Sequence, residues 1–207
     1  MENLFVNNIY EKIAYHFNHT RTYYWFSIKE FILSFNNKSL LLDAGCGNGK
    51  NMLIRNDCMI IGLDNCNKLI EISKNKKLNV LLSNIKNIPF RNNLFDGVFC
   101  VAVIHHLENK ENRLIAINEL IRVTKSNGKI FIQVWDKDIK KNNKFIKINN
   151  DNDYFVTWKL NNKDIVLKRY YHLFSKIELL NLIDYNLVEL IEIKNEFNNW
   201  IIILKKK

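Results

Sequence analysis

Proline and glycine are scarce in this chain of 207 residues, with a single proline, Pro89, and six glycines. That excludes flexible linkers and collagen-like or low-complexity repeats, so the chain reads as one domain of ordinary size. Long apolar runs are missing too. Every stretch breaks at Lys or Asn well short of the roughly 18–20 residues of a membrane span. The opening MENLFVNNIYEK lacks the basic-then-apolar order of a secretory leader. Cys46, Cys58, Cys66 and Cys100 form no C-x-x-C pair, and no His stands at zinc-finger spacing from them. A disulfide framework and a structural zinc are therefore not expected, and a reducing cytoplasm or nucleus is.

Acidic residues are also short, 21 against 31 Lys and Arg, for a net charge of +10. Residues 136–176 hold 10 Lys/Arg and 5 Asp/Glu, which is +5, so a fifth of the length carries half the excess. A basic surface favours phosphate-rich or anionic partners, plain solubility being the alternative, and this segment is where such a partner belongs. What is abundant is apolar and aromatic residue, 47% and 12%, enough to bury a core and to exclude disorder as the main state. The excess of Asn (33), Ile (28) and Lys (25) is spread along the whole chain and reads as coding bias.

The hydrophobic pattern alternates strand and helix, which argues for an α/β layer fold with a mostly parallel sheet. Two helices, 7–18 and 24–35, precede the sheet. Strands follow at 39–43, 59–64, 79–83, 96–102 and 129–135, with a helix at 109–123 whose Leu114, Ile117, Leu120 and Ile121 share one face. The rhythm is lost over 136–168, which looks like an insertion, polar at first and then aromatic at Tyr154, Phe155 and Trp158. A helix at 176–182 and a closing antiparallel pair at 187–193 and 200–204 complete the reading. The chain thus divides into a helical cap (1–38), a core (39–135), a basic insertion (136–168) and C-terminal elements (169–207).

The strongest local signal is LLLDAGCGNGK, residues 40–50, an apolar strand running into Gly45, Gly47 and Gly49. Glycines there let the backbone turn sharply and approach a ligand near a helix N-terminus. The spacing is G-x-G-x-G rather than the dinucleotide G-x-G-x-x-G, and Asp43 stands just before it. A carboxylate at that point repels a pyrophosphate and suits a cationic ligand such as S-adenosylmethionine, which has no phosphate. Asp64, 15 residues beyond Gly49, is placed to accept two ribose hydroxyls. The alternative is that Asp43 and Asp64 merely cap strand ends.

Over residues 39–135 this pattern resembles the class I S-adenosylmethionine-dependent methyltransferases. The likeness implies a Rossmann-like, seven-stranded sheet with one antiparallel closing strand. It implies a cofactor site at Asp43, Gly45, Cys46, Gly47, Asn48, Gly49, Asp64, Asn84, Ile85 and Ala102, and no metal. Asn84 stands where such enzymes often carry Asp, and Ser126-Asn127-Gly128 replaces a Pro-Gly-Gly turn. Other strings narrow the likeness: Ala102-Val-Ile-His-His106, Glu11 to Phe17 with Thr20-Arg21 and Trp25, Val156-Thr-Trp158, Arg169-Tyr-Tyr-His-Leu-Phe174 and Asn198-Asn-Trp200. In order, they resemble the eukaryotic tRNA wobble-uridine carboxymethyl methyltransferases, in the stand-alone form, over residues 9–204; that family has Val-Pro-Trp where this chain has Val-Thr-Trp.

That resemblance implies methyl-ester formation on the carboxylate of 5-carboxymethyluridine in tRNA. Arg21 and Arg169 are candidates to clamp the carboxylate, because a guanidinium matches its geometry. His105, His106 and His172 are candidate hydrogen-bond donors, although one of the adjacent pair is expected to be structural. Trp25, Tyr170 and Trp200 are candidates to stack on the base, with Asn199 beside them. Cys46 is expected to be a packed residue, not a nucleophile. The third strand, apolar on both faces through Val80, Leu81 and Leu82, is expected at the sheet edge. There the resemblance implies a small zinc-binding activator subunit; cover by a helix of the same chain is the alternative.

Overall fold

The computed structural model describes residues 1–160 and 165–207. After a π-helical turn at Asn3–Asn7, the elements run α1 (Asn8–Thr20), α2 (Phe26–Leu33), β1 (Leu40–Ala44), β2 (Met59–Asp64), α3 (Asn67–Asn75), β3 (Asn79–Leu82) and β4 (Phe95–Val101). A short 3-10 turn at Ile104–His106 leads into α4 (Lys110–Val123) and β5 (Thr124–Trp135). There follow β6 (Phe145–Lys147), β7 (Asp153–Lys159), β8 (Val166–His172), α5 (Lys176–Leu180), β9 (Val188–Glu196) and β10 (Asn199–Lys206).

Seven strands form one sheet in the order β3-β2-β1-β4-β5-β10-β9. β1 to β5 pair in parallel, while β10 runs antiparallel to both β5 and β9. The central strands read as continuous apolar runs because both of their faces are covered. On one face Leu42, Ala44, Val98, Ile130 and Ile132 pack with Ala116, Ile117, Leu120 and Ile121 of α4. On the other, Leu41, Phe99, Phe131 and Ile201 meet Ile28, Phe31 and Ile32 of α2. Helix α4 is N-capped by Asn109, whose side chain accepts the Asn112 N–H at 2.8 Å.

The chain leaves β1 toward β2 and β3, then crosses back to β4 on the opposite side. That reversal opens a crevice beyond the C-terminal ends of β1 and β4, where doubly wound sheets hold ligands. β3 is one edge strand of the sheet and, among the described residues, pairs only with β2, and Leu82 is 56% exposed.

The insertion is built, not irregular. β6, β7 and β8 form an antiparallel three-stranded sheet, and the division drawn at 168/169 falls inside β8. Its strands are short and interrupted by charged residues, with Asn- and Lys-rich connections between them, so no long apolar run announces them. What fixes them is contact with α1, where Ile9 and Ile13 pack on Trp158 of β7. Residues 161–164, part of the basic stretch, lie outside the described residues.

Candidate active site

The loop after β1 carries Gly45, Gly47 and Gly49 at φ of +85°, +55° and +72°, all in the left-handed region. Two of the three are packing glycines. A Cβ on Gly45 would lie 2.2 Å from Val103 Cγ2, and one on Gly49 would lie 2.3 Å from Leu78 Cδ1. Gly47 differs, because its Cβ would meet only Phe17 Cε1 at 3.6 Å and otherwise project into open space. Packing makes no demand for glycine there beyond the left-handed φ, and the open space is left for what fills the cleft.

That space is a cleft of about 540 Å³ at the crevice, roofed by the N-terminal segment. Asn48 Nδ2 donates to the Arg21 carbonyl at 3.3 Å and Lys50 Nζ to the Tyr23 carbonyl at 2.8 Å, which straps residues 21–25 over the loop. Asp64, at the end of β2, accepts the Gly47 N–H and the Cys66 N–H, both at 2.9 Å. Its remaining lone pairs are free for two hydroxyls. Burial pushes its pKa up, and the backbone donors oppose that. Asn84, on the cleft lining, accepts the Lys86 N–H on Oδ1 at 2.9 Å, and that oxygen has a second lone pair. Cys46 is buried in the loop, and burial together with Asp43 and Asp64 drives its thiol pKa well up, so it is no nucleophile.

The opposite half of the cleft is cationic and aromatic. Arg169 is 4% exposed, yet no carboxylate among the described residues lies within 4.0 Å of it. Its guanidinium sits 4.5 Å from the Trp158 ring, 5.1 Å from Tyr171 and 6.0 Å from Tyr10. Nη1 donates to the Tyr10 hydroxyl at 3.4 Å, and Nε is buried without a partner. Arg21 lies 5.4 Å from the same Trp158 ring. Trp158 is held in turn by its Nε1–H, which donates to His16 Nδ1 at 2.9 Å. Tyr171 stacks on Trp135 at 4.4 Å and 17°, fixing β8 over the end of β5.

The adjacent histidines differ. His106 is saturated, with Nδ1–H donating to the Tyr170 carbonyl at 2.8 Å and Nε2 accepting from the Tyr10 hydroxyl at 3.0 Å. Burial pushes its pKa down to about 3. His105 Nδ1 accepts the Trp135 N–H at 3.2 Å, which leaves the ring proton on Nε2. Burial, His106 and Arg169 hold its pKa well below the usual histidine range, so it is a neutral donor.

Of the residues expected from sequence, Arg21, Trp25, Gly45, Cys46, Gly47, Asn48, Asp64, Asn84, Ile85, Ala102, His105, His106, Arg169 and Asn199 meet on this cleft. Five do not. Asp43 is fully buried beneath the loop, both oxygens without a partner, and burial with Asp64 nearby raises its pKa well above the carboxylate range. Gly49 packs on Leu78 and Ser73. Tyr170 is fully buried, its hydroxyl donating to Asp153 Oδ1 at 2.7 Å. His172 bridges Asp153 Oδ1 at 2.7 Å and Glu178 Oε1 at 2.5 Å, away from the cleft. Trp200 packs against the main core with its Nε1–H buried and unpartnered. Sequence reasoning missed Tyr10, Phe17, Trp135, Tyr171 and Phe197, which also line the cleft. Tyr10 and Phe17 stand at i and i+7 on one face of α1, four residues short of Arg21, and that spacing was the available signal.

A second groove of about 670 Å³ shares Thr20, Arg21, Trp135 and Arg169 with the cleft. Arg21, Lys140, Lys144, Lys159 and Arg169 line it, with Trp158 and Phe145, and among the described residues no carboxylate does. The basic stretch is thus focused beside the cleft.

A nucleoside bearing a cationic sulfonium fits these residues: Asp64 keeps lone pairs for hydroxyls, and Gly47 leaves space for the ligand to approach. A family model described as a methyltransferase domain matches residues 42–132. Among solved structures, an S-adenosylmethionine-dependent methyltransferase from Clostridium acetobutylicum superposes with a TM-score of 0.71 at 13% identity, covering 96% of this chain and 99% of that one. The fold and the site define a class I S-adenosylmethionine-dependent methyltransferase. Among curated proteins, the Schizosaccharomyces pombe tRNA (carboxymethyluridine(34)-5-O)-methyltransferase is 32% identical over 99% of this chain and 97% of its own length. The Arabidopsis thaliana protein of that name is 39% identical over 65% of this chain, which spans 33% of that longer protein. The chain belongs to the tRNA (carboxymethyluridine(34)-5-O)-methyltransferase family.

Proposed function

We propose that this chain methylates the carboxylate of 5-carboxymethyluridine at the tRNA wobble position, forming the methyl ester. The observation that carries the reading is Arg169, a buried guanidinium with no carboxylate partner among the described residues, facing the cleft half opposite the glycine loop. A buried cation calls for an anion, and a guanidinium takes a carboxylate bidentately. When bound, S-adenosylmethionine supplies a methyl group on a sulfonium centre, and its transfer to a carboxylate oxygen moves no proton.

The acceptor is ionised at neutral pH, its reference pKa lying near ~4, so the site needs alignment and exclusion of water more than a base. Arg169 holds one carboxylate oxygen, His105 Nε2–H donates to the uracil edge or the carboxylate, and Trp25 offers a ring to the base. On the other half Asp64 accepts the ribose hydroxyls and Asn84 the adenine amino group. His106 positions Tyr10, which contacts Arg169. The basic groove beside the cleft supports RNA over a small-molecule acid, because a lone carboxylate uses two cations and not five.

The β3 edge supports a partner subunit. Its outer side pairs with no strand among the described residues, and Leu82 is exposed. Strand addition by a small zinc-binding activator would cover it. A chain from a complex of a Haloferax volcanii methyltransferase activator with a putative methyltransferase shares this fold, TM-score 0.73 at 11% identity. Co-expression with such an activator tests this; Leu82→Lys should abolish co-purification.

The decisive experiment is mass spectrometry of wobble nucleosides after incubating the chain and activator with S-adenosylmethionine and tRNA bearing 5-carboxymethyluridine. The methyl ester should appear. Cofactor binding without transfer to this carboxylate would refute the substrate, and absence of cofactor binding would mean a catalytically silent subunit.

A further inference from the structure

The turn between β9 and β10 is two residues long, Phe197–Asn198, with φ of +48° and +60°. This is the mirror-type hairpin turn, which favours Asn, Asp or Gly at both places. Asn198 suits it. A bulky aromatic at Phe197 is an outlier, and such conformations persist only where the surroundings over-determine them. Here they do. Asn199 Nδ2 donates to the Glu196 carbonyl at 3.2 Å and the Phe197 carbonyl at 2.9 Å. The Asp136 N–H donates to the Asn198 carbonyl at 3.0 Å, and Asn195 Nδ2 secures Asp136 Oδ2 at 2.7 Å.

The fold gains little burial from this residue. Phe197 is 77% exposed, and its one aromatic neighbour among the described residues is Trp25, at 6.2 Å and 37°. Tyr23 shows the same contrast. Its carbonyl is pinned by Lys50 Nζ, while its side chain is 89% exposed. These are the two most exposed large apolar side chains among the described residues, and both stand at the mouth of the same cleft.

Their side of the cleft is defined by the sheet. The glycine loop, Asp64 and Asn84 follow β1, β2 and β3, whereas Phe197 lies beyond β5 at the other end of the strand order. Phe197 therefore flanks the acceptor half, and Tyr23 stands at the same mouth on the segment strapped over the glycine loop. It is too exposed to hold the group that reacts, which must sit inside the cleft. Open ring faces beside a groove of five cations match a stacked base with its phosphate.

We propose that Phe197 and Tyr23 form a stacking platform for a nucleobase that flanks the target nucleotide in the RNA. This rests on the RNA reading above. The test uses the full chain with its activator and an anticodon stem–loop carrying 5-carboxymethyluridine. Phe197→Asn, which suits the turn better, should raise the melting temperature and leave S-adenosylmethionine affinity unchanged. It should raise KM for the stem–loop roughly 5- to 150-fold, the span for stacking one base. Phe197→Leu, which keeps apolar bulk without a ring face, should raise KM similarly, and Tyr23→Ala, which removes an exposed side chain, should raise it without altering the fold.

An abasic substitution at one flanking nucleotide should reproduce the loss in the unmodified protein and add nothing in Phe197→Asn. Unchanged KM, full activity in Phe197→Leu, weakened cofactor binding, or losses that simply multiply at both flanking positions would each overturn the platform. A chain with activator that methylates no intact stem–loop overturns the RNA reading itself, and the platform with it.

Discussion

Replacing Arg169 by Met should make the protein more stable and nearly inactive. In the free chain the guanidinium is 4% exposed and has no carboxylate partner among the described residues, and burying an ion costs several kcal/mol. Against that stand ring contacts at 4.5, 5.1 and 6.0 Å, worth about 2 kcal/mol at best for the nearest desolvated one, and one long hydrogen bond. The balance leaves roughly 1–3 kcal/mol of penalty in the unliganded state. Met fills much of the same volume without charge, so part of that penalty should be recovered. At about 2–4 °C per kcal/mol for a chain of this size, the melting temperature should hold or rise by several degrees. With substrate the sign reverses. Losing one side of a buried charge pair costs about 2–5 kcal/mol, or roughly 30- to 4,000-fold in kcat/KM. Scanning calorimetry and methyl-ester formation on tRNA read the two effects separately. A fall of more than about 5 °C with kcat/KM within threefold of the unmodified protein would refute the argument, because the fold, and not the substrate, would then need the charge.

Two further outcomes follow from the same geometry. Gly47→Ala should cost only about 1–2 kcal/mol of stability, the left-handed penalty, but weaken S-adenosylmethionine binding at least tenfold by titration calorimetry. Gly45→Ala, whose Cβ would strike Val103, should be the more destabilising of the two, and wild-type affinity in Gly47→Ala would mean that Gly47 does not face the cofactor. Burial lowers the His172 pKa, but hydrogen bonds to Asp153 and Glu178 outweigh it and the net shift is upward. Its contribution to stability is therefore complete below the unfolded value of about 6.5 and is lost as pH rises through the higher folded value. Denaturation of His172→Gln should lack that decline above pH 6.5 while cofactor affinity stays within twofold; an unchanged slope would place the titration elsewhere.

Much of the fold was legible because parallel strands covered on both faces must be mostly apolar, as in Leu40–Ala44 and Phe95–Val101, where Asp43 and Asp96 are the exceptions. The glycine loop was legible for a related reason, since three left-handed positions leave few residue types available. The β6–β8 sheet was not. Its strands mix charged, aromatic and aliphatic residues without a regular period and become strands by packing on α1, through contacts such as those of Ile9 and Ile13 with Trp158. Nor could charge counting show that Lys140, Lys144 and Lys159 would converge with Arg21 and Arg169 on one groove.

By itself the sequence determined the layer architecture, the cofactor loop and the family, because these rest on local patterns and on contiguous strings. Tertiary structure decided which residue in each string meets the substrate. In β8, side chains alternate between faces, so Arg169 and Tyr171 turn to the cleft while Tyr170 and His172 join the buried network with Asp153. In β10 the same period sends Asn199 to the cleft and Trp200 to the core. On the 3-10 turn both histidines reach the cleft wall, yet only His106 has both ring nitrogens bound by Tyr10 and Tyr170. Strand periodicity divides such a string between two faces, but which face is the site depends on the surface packed against it, and neighbours brought in from 64 to 159 residues away supply that surface.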